Sequence, residues 1–338
     1  MVIFMVINRL FFQLCLFKNK IILFLSILLC SKVKCYVTLN MIKIFIINSN
    51  SFFTTRRKNM ELEMKFQKLK DNIQGLKSVA IAYSGGVDST FLLKVAADVL
   101  GNKVIAITAK STTYPEREFK EAVKYIEDIG AKHIVIISEE LEIEGFAKNP
   151  IDRCYFCKKE LFSKVRKVAD DNNINAVLDG SNADDVSDYR PGMKAANELR
   201  VISPLKDAFL TKDNIRELSK RLGLPTWNKP AFACLSSRFP YGNEITVEKL
   251  SMVERAEQFL LDLGFRQIRV RHHGDIARVE VNAEERNKFF STEMMDKVAN
   301  ELKSIGFKYV TLDLLGYRTG SMNEVLSDKE KNSVEALD

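Results

Sequence analysis

The chain has 338 residues, of which 51 are basic and 44 acidic, and its formal net charge is +7. Nine of the basic residues and none of the acidic ones lie in residues 1–59, so residues 60–338 hold 42 basic and 44 acidic residues, a net charge of −2. A body this close to neutral disfavours a nucleic-acid partner, which would need a basic surface. The length allows one to three domains and a sizeable core.

A phosphate-binding loop is predicted where an apolar run over residues 79–83, typical of a strand, leads into helical apolar spacing over 91–99. The segment between them reads SGGVDST. Adjacent glycines let backbone N–H groups turn inward, and the positive end of the following helix favours an anion. The Walker lysine is absent, which argues against γ-phosphate transfer. The predicted nucleotide-binding residues are Ser84, Gly85, Gly86, Asp88, Ser89 and Thr90, and Asp88 is also placed to hold Mg²⁺ or to cap the helix.

Further apolar runs predict strands over residues 104–108, 134–137, 176–178 and 201–202. Helical spacing separates these runs; Gly130 ends one helix and Thr211 caps another. This alternation predicts an α/β fold, a doubly wound parallel sheet covered by helices on both faces.

Ligands bind such a sheet at the carboxyl ends of its strands. The loops that follow the predicted strands, over residues 108–116, 179–185 and 203–207, share that edge with the SGGVDST loop. We therefore add Thr108, Gly180 and Asp184 to the predicted nucleotide site.

The last part of the chain follows a different pattern. Helical spacing over residues 247–263 is followed by two strands, a second helix and a last strand over 309–315, which predicts a small α+β domain. The predicted organisation is a leader over 1–59, a nucleotide-binding domain over 60–242, the α+β domain over 243–325 and a tail over 326–338.

Three cysteines of the body, Cys154, Cys157 and Cys234, cannot all pair with one another in disulfides, which favours a reduced compartment and a metal or catalytic role. Three interpretations stay open. Cys154 and Cys157 could be a redox pair with Cys234 as the nucleophile. Alternatively, all three cysteines could bind zinc, or all three could hold three irons of a 4Fe–4S cluster. A purely structural role, as small buried apolar residues, would not explain why two of the cysteines are spaced as a pair beside two lysines.

SGGVDST is the signature of the PP-loop, or N-type ATP pyrophosphatase, superfamily, whose fold is adenine nucleotide alpha hydrolase-like. Together with DGSNADD, DYRPG, ACLSSRFPYG and RVRHHGDIARVEV, it resembles the LarE family of ATP-dependent sulfur transferases over residues 61–325. The resemblance implies an enzyme of nickel-pincer cofactor synthesis. ATP adenylates a carboxylate of a pyridinium dicarboxylate mononucleotide, and sulfur then displaces AMP to give a thiocarboxylate.

The sulfur source divides this family. Some members sacrifice one cysteine, which lies one position before Cys234, where this chain has Ala233. Others carry three cysteines that bind a 4Fe–4S cluster. The three-cysteine pattern here predicts cluster-dependent transfer through Cys154, Cys157 and Cys234; the alternative is Cys234 as a single-use donor.

The substrate site is also implied by the resemblance. Arg269, Arg271 and His273 alternate along a predicted strand, and periodicity alone favours a solvated face there. By resemblance, a phosphate- and carboxylate-binding site for the mononucleotide is formed by Ser237, Arg238, Glu257, Arg269 and Arg271. Bidentate recognition of phosphate by arginine suits that use.

Other functions remain as alternatives. A tRNA-thiolating enzyme would share the PP-loop and the three cysteines but needs a basic surface. An amidating PP-loop enzyme would use ammonia and would not need the three cysteines. A non-catalytic nucleotide-binding protein would not need both an intact PP-loop and the three cysteines. The resemblance further predicts a cytoplasmic homo-oligomer that works with nickel-pincer pathway enzymes, with no membrane partner.

The leader fits two interpretations. Lys18 and Lys20 precede an apolar stretch, as in a signal peptide, but its longest apolar run, 21–30, is roughly half of the ~20 residues that span a bilayer. An ATP-using thiol enzyme has little reason to be exported. We therefore expect translation to start at Met60 or Met64, with the upstream stretch an over-extended gene prediction.

Overall fold

The computed structural model describes residues 56–187, 192–231, 233–318 and 320–327. The predictions for the leader and the tail therefore lie almost wholly outside the described residues. From Lys65 onward the described chain forms one compact unit. Within the described ranges, no helix is both long enough and apolar enough to cross a membrane.

The first sheet is parallel throughout, with the strand order β3-β2-β1-β4. The expected fifth strand is reduced to one bridge between Leu178 and Ile202. The predicted α/β fold with a parallel sheet is confirmed. The strands are β1 (Val79–Ala82), β2 (Val104–Lys110), β3 (Lys132–Ile137) and β4 (Ala176–Leu178).

Helices follow the strands in the predicted alternation. Gly130, at a φ of 76°, ends one of them, and the Thr211 side chain accepts a hydrogen bond from the Asn214 amide at the start of another, as expected of a capping residue. The helices of this part are α1 (Val87–Leu100), α2 (Glu116–Ile129), α3 (Arg153–Asp171), α4 (Gly192–Glu198), α5 (Pro204–Asp207) and α6 (Lys212–Arg221).

Strands β1, β2 and β4 are largely buried on both faces, as their unbroken apolar runs require, whereas Val135 and Ile137 of the edge strand β3 are exposed. On one face Ala80 and Val177 pack in a cluster with Phe162 and Val165 of α3. Val79 and Ile81, which point to the other face, are equally buried. Strand β1 therefore holds the SGGVDST loop on a rigid support.

The second sheet has the order β5-β6-β7, with β5 and β6 antiparallel and β6 and β7 parallel. Its core joins both helices to the strands, and the predicted α-β-β-α-β order is confirmed. Strand β7 stops earlier than expected, and Leu314 and Leu315 beyond it are exposed. The domain boundary at 242/243 stays a prediction. The elements are α7 (Val247–Asp262), β5 (Ile268–His273), β6 (Ile276–Val281), α8 (Thr292–Ile305) and β7 (Tyr309–Leu312).

Candidate active site

The SGGVDST loop turns sharply between β1 and α1. Gly85 has a φ of +66°, and a Cβ built there would lie 2.7 Å from the Ala122 Cβ on α2. Both facts require glycine at this position. The Ser84 and Ser89 hydroxyl oxygens lie 3.2 Å apart, and Ser89 Oγ also donates to the Gly86 carbonyl. The loop is thus closed on itself by its own side chains.

The loop over 179–185 meets SGGVDST, as its place at the carboxyl edge predicted. A Cβ on Gly180 would lie 3.2 Å from the Ser89 amide nitrogen, so glycine there leaves this amide uncovered. Asp184 accepts a hydrogen bond of 2.7 Å from the Lys212 amide at the start of α6. The Lys212 ammonium in turn forms an ion pair with Asp88. Four predicted residues therefore come together here, namely Asp88, Ser89, Gly180 and Asp184.

Asp88 is suited to hold a cation. Its Oδ2 pairs with Lys212, while its Oδ1 is buried and has no hydrogen-bond partner within the described chain. Burial raises the pKa of Asp88, the charge of Asp185 adds to that effect, and Lys212 opposes it. An unsatisfied buried carboxylate oxygen is the kind of ligand that Mg²⁺ takes, so the residues present fit a magnesium site at Asp88.

Two other predicted nucleotide residues have partners inside the protein. The Thr90 hydroxyl lies 3.0 Å from that of Tyr83, and Thr108 Oγ1 lies 3.0 Å from His133 Nε2 on β3. Both threonines are buried. Their predicted part in nucleotide binding stays a prediction.

The three cysteines are free thiols. Cys154 and Cys157 lie in the first turns of α3, and Cys234 precedes a 3₁₀ turn, Leu235–Arg238. Burial raises the pKa of Cys157, and so do the nearby charges of Cys234, Glu140 and Cys154. The structure thus brings thiols from two distant segments close enough to affect one another electrostatically.

Arg153 and Glu140 support this cysteine group. Arg153 is buried and donates a hydrogen bond of 2.9 Å to the Ser236 carbonyl, which ties the start of α3 to the turn after Cys234. Glu140 is buried with its Oε1 3.9 Å from Cys157 Sγ, and burial raises its pKa. Sequence reasoning missed both. Arg153 adjoins the cysteine pair, but nothing in the sequence around Glu140 marks it.

The donor chemistry of the three thiols suits iron or zinc. Their spacing does not yet make a ligand set: across the described ranges, no three His, Cys, Asp or Glu side chains are grouped to hold a metal ion.

The predicted substrate residues do come together, around the turn Leu235–Arg238. Arg238 Nε and Nη2 donate to the two Glu257 oxygens, each at 2.8 Å, and Ser237 Oγ accepts from Arg238 Nη1 at 3.0 Å. Arg271 forms a similar pair with Glu280, at 3.0 and 2.8 Å, and also donates to the Ser237 carbonyl. Much of the donor capacity of these two arginines is therefore used inside the protein.

Arg269 differs from them. Its side chain is 7% exposed and donates to two carbonyls, those of Ile268 and Ala231, and among the described residues no carboxylate lies within ion-pair distance. Burial and the charge of Arg238 lower the pKa of Arg269 to about 10. It lines a cavity of about 150 Å³ between α2, α7 and β5, which also contains Gln267 and Lys229. Gln267 Nε2 is buried there without a partner in the described chain.

Comparison with known proteins places these features in a family. The NAD synthase family model matches residues 61–171. An uncharacterized protein of Synechocystis sp. is 45% identical over 266 residues, which cover 79% of this chain and 99% of that protein. The pyridinium-3,5-bisthiocarboxylic acid mononucleotide synthase of Lactiplantibacillus plantarum is 41% identical over 256 residues, 75% of this chain and 92% of the synthase.

These similarities extend well beyond the region of the PP-loop and cover nearly the whole of each relative. They agree with the parallel sheet, the SGGVDST loop at its edge and the second sheet. The predicted family is confirmed, and an ATP-dependent enzyme with it. The chain belongs to the LarE family of ATP-dependent sulfur transferases.

Proposed function

We propose that this enzyme uses ATP to adenylate a carboxylate of a pyridinium dicarboxylate mononucleotide and then replaces AMP by sulfur, giving a thiocarboxylate for the nickel-pincer cofactor. One observation carries the proposal. The turn Leu235–Arg238 contacts the cysteine-bearing end of α3 through Arg153 and the arginine-bearing strand β5 through Arg271. The cysteines that would deliver sulfur and the arginines that would bind an anionic substrate are therefore connected through one turn.

In the first step a substrate carboxylate oxygen attacks the α-phosphorus of ATP. The bond from that phosphorus to the pyrophosphate oxygen breaks, and the electron pair leaves with pyrophosphate. Negative charge on the leaving group is stabilised by backbone amides and by the positive end of α1. Asp88 would hold Mg²⁺ against the phosphates, and Ser84 and Ser89 add hydroxyl donors.

Arg269 would anchor the substrate. A buried guanidinium without a carboxylate partner gains more from an anionic ligand than one already paired. Gln267 Nε2, which has no hydrogen-bond partner among the described residues, lines the same cavity. A phosphate or second carboxylate of the mononucleotide supplies the matching charge.

In the second step a sulfur nucleophile attacks the acyl carbon, and the bond from that carbon to the AMP oxygen breaks, so AMP leaves with that oxygen. A 4Fe–4S cluster held by Cys154, Cys157 and Cys234 would leave one iron without a cysteine, and sulfide taken up there from solution would be the nucleophile in each turnover. The raised pKa of Cys157 keeps a free thiol protonated near neutral pH. A bound metal ion would favour the thiolate form of the cysteines that hold it.

The test is metal and sulfide content of the full chain purified without oxygen, together with thiocarboxylate formed per chain. We expect about four irons per chain and more than one product per chain. Changing Cys154, Cys157 or Cys234 to Ala should remove both, whereas Ser163→Ala, at an exposed position of α3, is the control. Iron-free protein that forms one product per chain, with dehydroalanine at position 234, would establish Cys234 as a sacrificial donor instead.

The substrate is tested separately. ATP–pyrophosphate exchange should depend on the mononucleotide, and exchange that ignores it would refute the proposed substrate. A homo-oligomer in the cytoplasm, acting with the other nickel-pincer enzymes, belongs to the same proposal; sedimentation of the purified chain tests the oligomer.

A further inference from the structure

We propose that Tyr114 and Lys229 are positioning residues that orient two peptide groups of the SGGVDST loop so that the Gly85 and Gly86 amides face the pyrophosphate of ATP. The inference rests on the proposed use of this loop for pyrophosphate. Neither residue belongs to the loop, and neither stands out in the sequence. Each binds one carbonyl of the loop from the side of α2.

Tyr114 lies between β2 and α2. Its hydroxyl donates to the Ser84 carbonyl at 2.9 Å and lies 3.3 Å from the Glu118 carbonyl. Burial raises the pKa of Tyr114, and the charge of Glu118 adds to the shift, so the hydroxyl keeps its proton at neutral pH. The Ser84 carbonyl is therefore held toward α2 by a permanent donor.

Lys229 holds the next carbonyl. Its ammonium donates to the Gly85 carbonyl at 3.4 Å and to Glu121 at 2.8 Å, and it lies 2.7 Å from Glu118 Oε2. The side chain is only 11% exposed. Burial opposes the charge, but Glu118 and Glu121 outweigh it and raise the pKa of Lys229. Two carboxylates one turn apart on α2 thus fix the ammonium beneath the loop.

The geometry of the peptide bond converts these contacts into amide directions. In a trans peptide the carbonyl and the following N–H point in opposite directions, and both bonds here are trans. With the Ser84 and Gly85 carbonyls directed to α2, the Gly85 and Gly86 N–H groups point away from it. Within the described residues no protein group accepts a hydrogen bond from either amide. Two unused donors aimed to one side are what an anion site requires.

Ala122 completes the support, because its Cβ leaves no room for a side chain at Gly85. Hydrogen bonds from Tyr114 and Lys229 therefore hold the loop close to α2, and contact with Ala122 sets how closely it can approach. Without the two donors, the peptides would be free to turn, and binding would first have to order them. The expected loss falls on the pyrophosphate end of ATP and not on the adenosine end.

The experiment compares the binding of Mg-pyrophosphate and of adenosine to the full chain by titration calorimetry, in the wild type, Tyr114→Phe, Lys229→Met and Lys229→Arg. Loss of one hydrogen bond predicts about fivefold weaker Mg-pyrophosphate binding for Tyr114→Phe, and about tenfold or more for Lys229→Met. Adenosine binding should change by less than about twofold, and Lys229→Arg should recover most of the affinity.

Lys164→Met is the matched control. Lys164 also pairs with a glutamate, Glu160, and donates to a carbonyl, that of Ile137, but it lies on α3 away from the loop. It should leave Mg-pyrophosphate binding unchanged. If Tyr114→Phe and Lys229→Met bind Mg-pyrophosphate as the wild type does, the inference is wrong, and if Lys229→Met fails to fold, Tyr114→Phe decides. A wild type that binds no Mg-pyrophosphate refutes the proposed function and this inference with it.

Discussion

Arg238 and Glu257 form a buried, two-pronged ion pair that holds the chain segment carrying Cys234. Both contacts between the guanidinium and the carboxylate measure 2.8 Å. The remaining nitrogen of Arg238 donates to the Cys234 carbonyl at 2.9 Å, and Glu257 accepts from the Val270 amide on β5. The pair thus connects α7 and β5 to the cysteine segment. The pair therefore fixes the position of the Cys234 backbone.

Glu257→Gln should destabilise the protein strongly. Burial opposes ionisation of Glu257, but Arg238 outweighs it, and the pKa of Glu257 is lowered. Removing the carboxylate leaves a buried guanidinium without its counterion, which costs about 3–5 kcal/mol. Urea unfolding at neutral pH measures the change. Glu217→Gln, in the exposed Arg221–Glu217 pair on α6, is the control and should change stability by less than about 1 kcal/mol.

The same pair predicts a pH effect of known sign. A carboxyl whose folded pKa is lowered contributes stability above its unfolded value, near 4.5, and loses that contribution as the pH falls through the folded value. The difference in unfolding free energy between wild type and Glu257→Gln should therefore shrink below about pH 4.5. A difference that stays constant with pH would contradict an ionised Glu257.

Gly85→Ala should abolish ATP use. Alanine would have to adopt a φ of +66° and place its Cβ 2.7 Å from that of Ala122. We expect about 1–3 kcal/mol of destabilisation from the backbone alone and displacement of the loop from α2. Gly75→Ala is the matched control, since no atom lies within 4 Å of a Cβ there and residue 75 is helical. It should be neutral or stabilising by up to about 1 kcal/mol. Equal ATP-pyrophosphate exchange in the two variants would contradict a rigid loop.

Asp88→Asn should separate stability from activity. The pKa of Asp88 is raised because burial, the larger effect, outweighs the attraction of Lys212. The ionised carboxylate is therefore less favourable in the fold than in the unfolded chain at neutral pH, and a neutral amide of the same shape should raise the unfolding midpoint. Mg²⁺-dependent ATP use should be lost, because an amide oxygen replaces a charged ligand. A lower midpoint with intact activity would show that Asp88 is structural.

The architecture could be read from the sequence because it depends on local patterns. The period of the apolar residues placed β1 within one residue, whereas α1 begins at Val87, four residues before the predicted spacing and inside SGGVDST. The carboxyl-edge rule placed Gly180 and Asp184 beside this loop. The predicted fifth strand at 201–202 is reduced to a single bridge, and this too has a local cause. Two apolar residues before Ser203-Pro204 make one bridge, and α5 begins at once.

What could not be read were partners distant in the chain. Lys229 meets Glu121 across 108 residues, and Arg153 meets Ser236 across 83. No periodicity encodes such pairings, since they depend on how helices and loops pack. For the same reason, alternation on β5 favoured a solvated face for Arg269 and Arg271, whereas the structure buries both. The sequence of a strand alone does not tell whether a charged residue on it is buried, because burial depends on partners from distant parts of the chain.

Arg153→Met should disturb the cysteine group while leaving the nucleotide loop intact. Arg153 donates to the Ser236 carbonyl and also bonds Asn149, and both acceptors are buried near the turn Leu235–Arg238. Without these bonds the start of α3 loses its fixed distance from Cys234, and iron bound per chain should fall by more than half. Mg-pyrophosphate binding should stay within about twofold, since the hydrogen bonds of Arg153 within the described chain go to Asn149 and Ser236 and not to SGGVDST. Arg166→Met, on the same helix but bonded to the Leu199 and Arg200 carbonyls, should keep its iron. Iron loss in both variants would point to a general weakening of α3, and unchanged iron in Arg153→Met would show that this arginine does not position the cysteines.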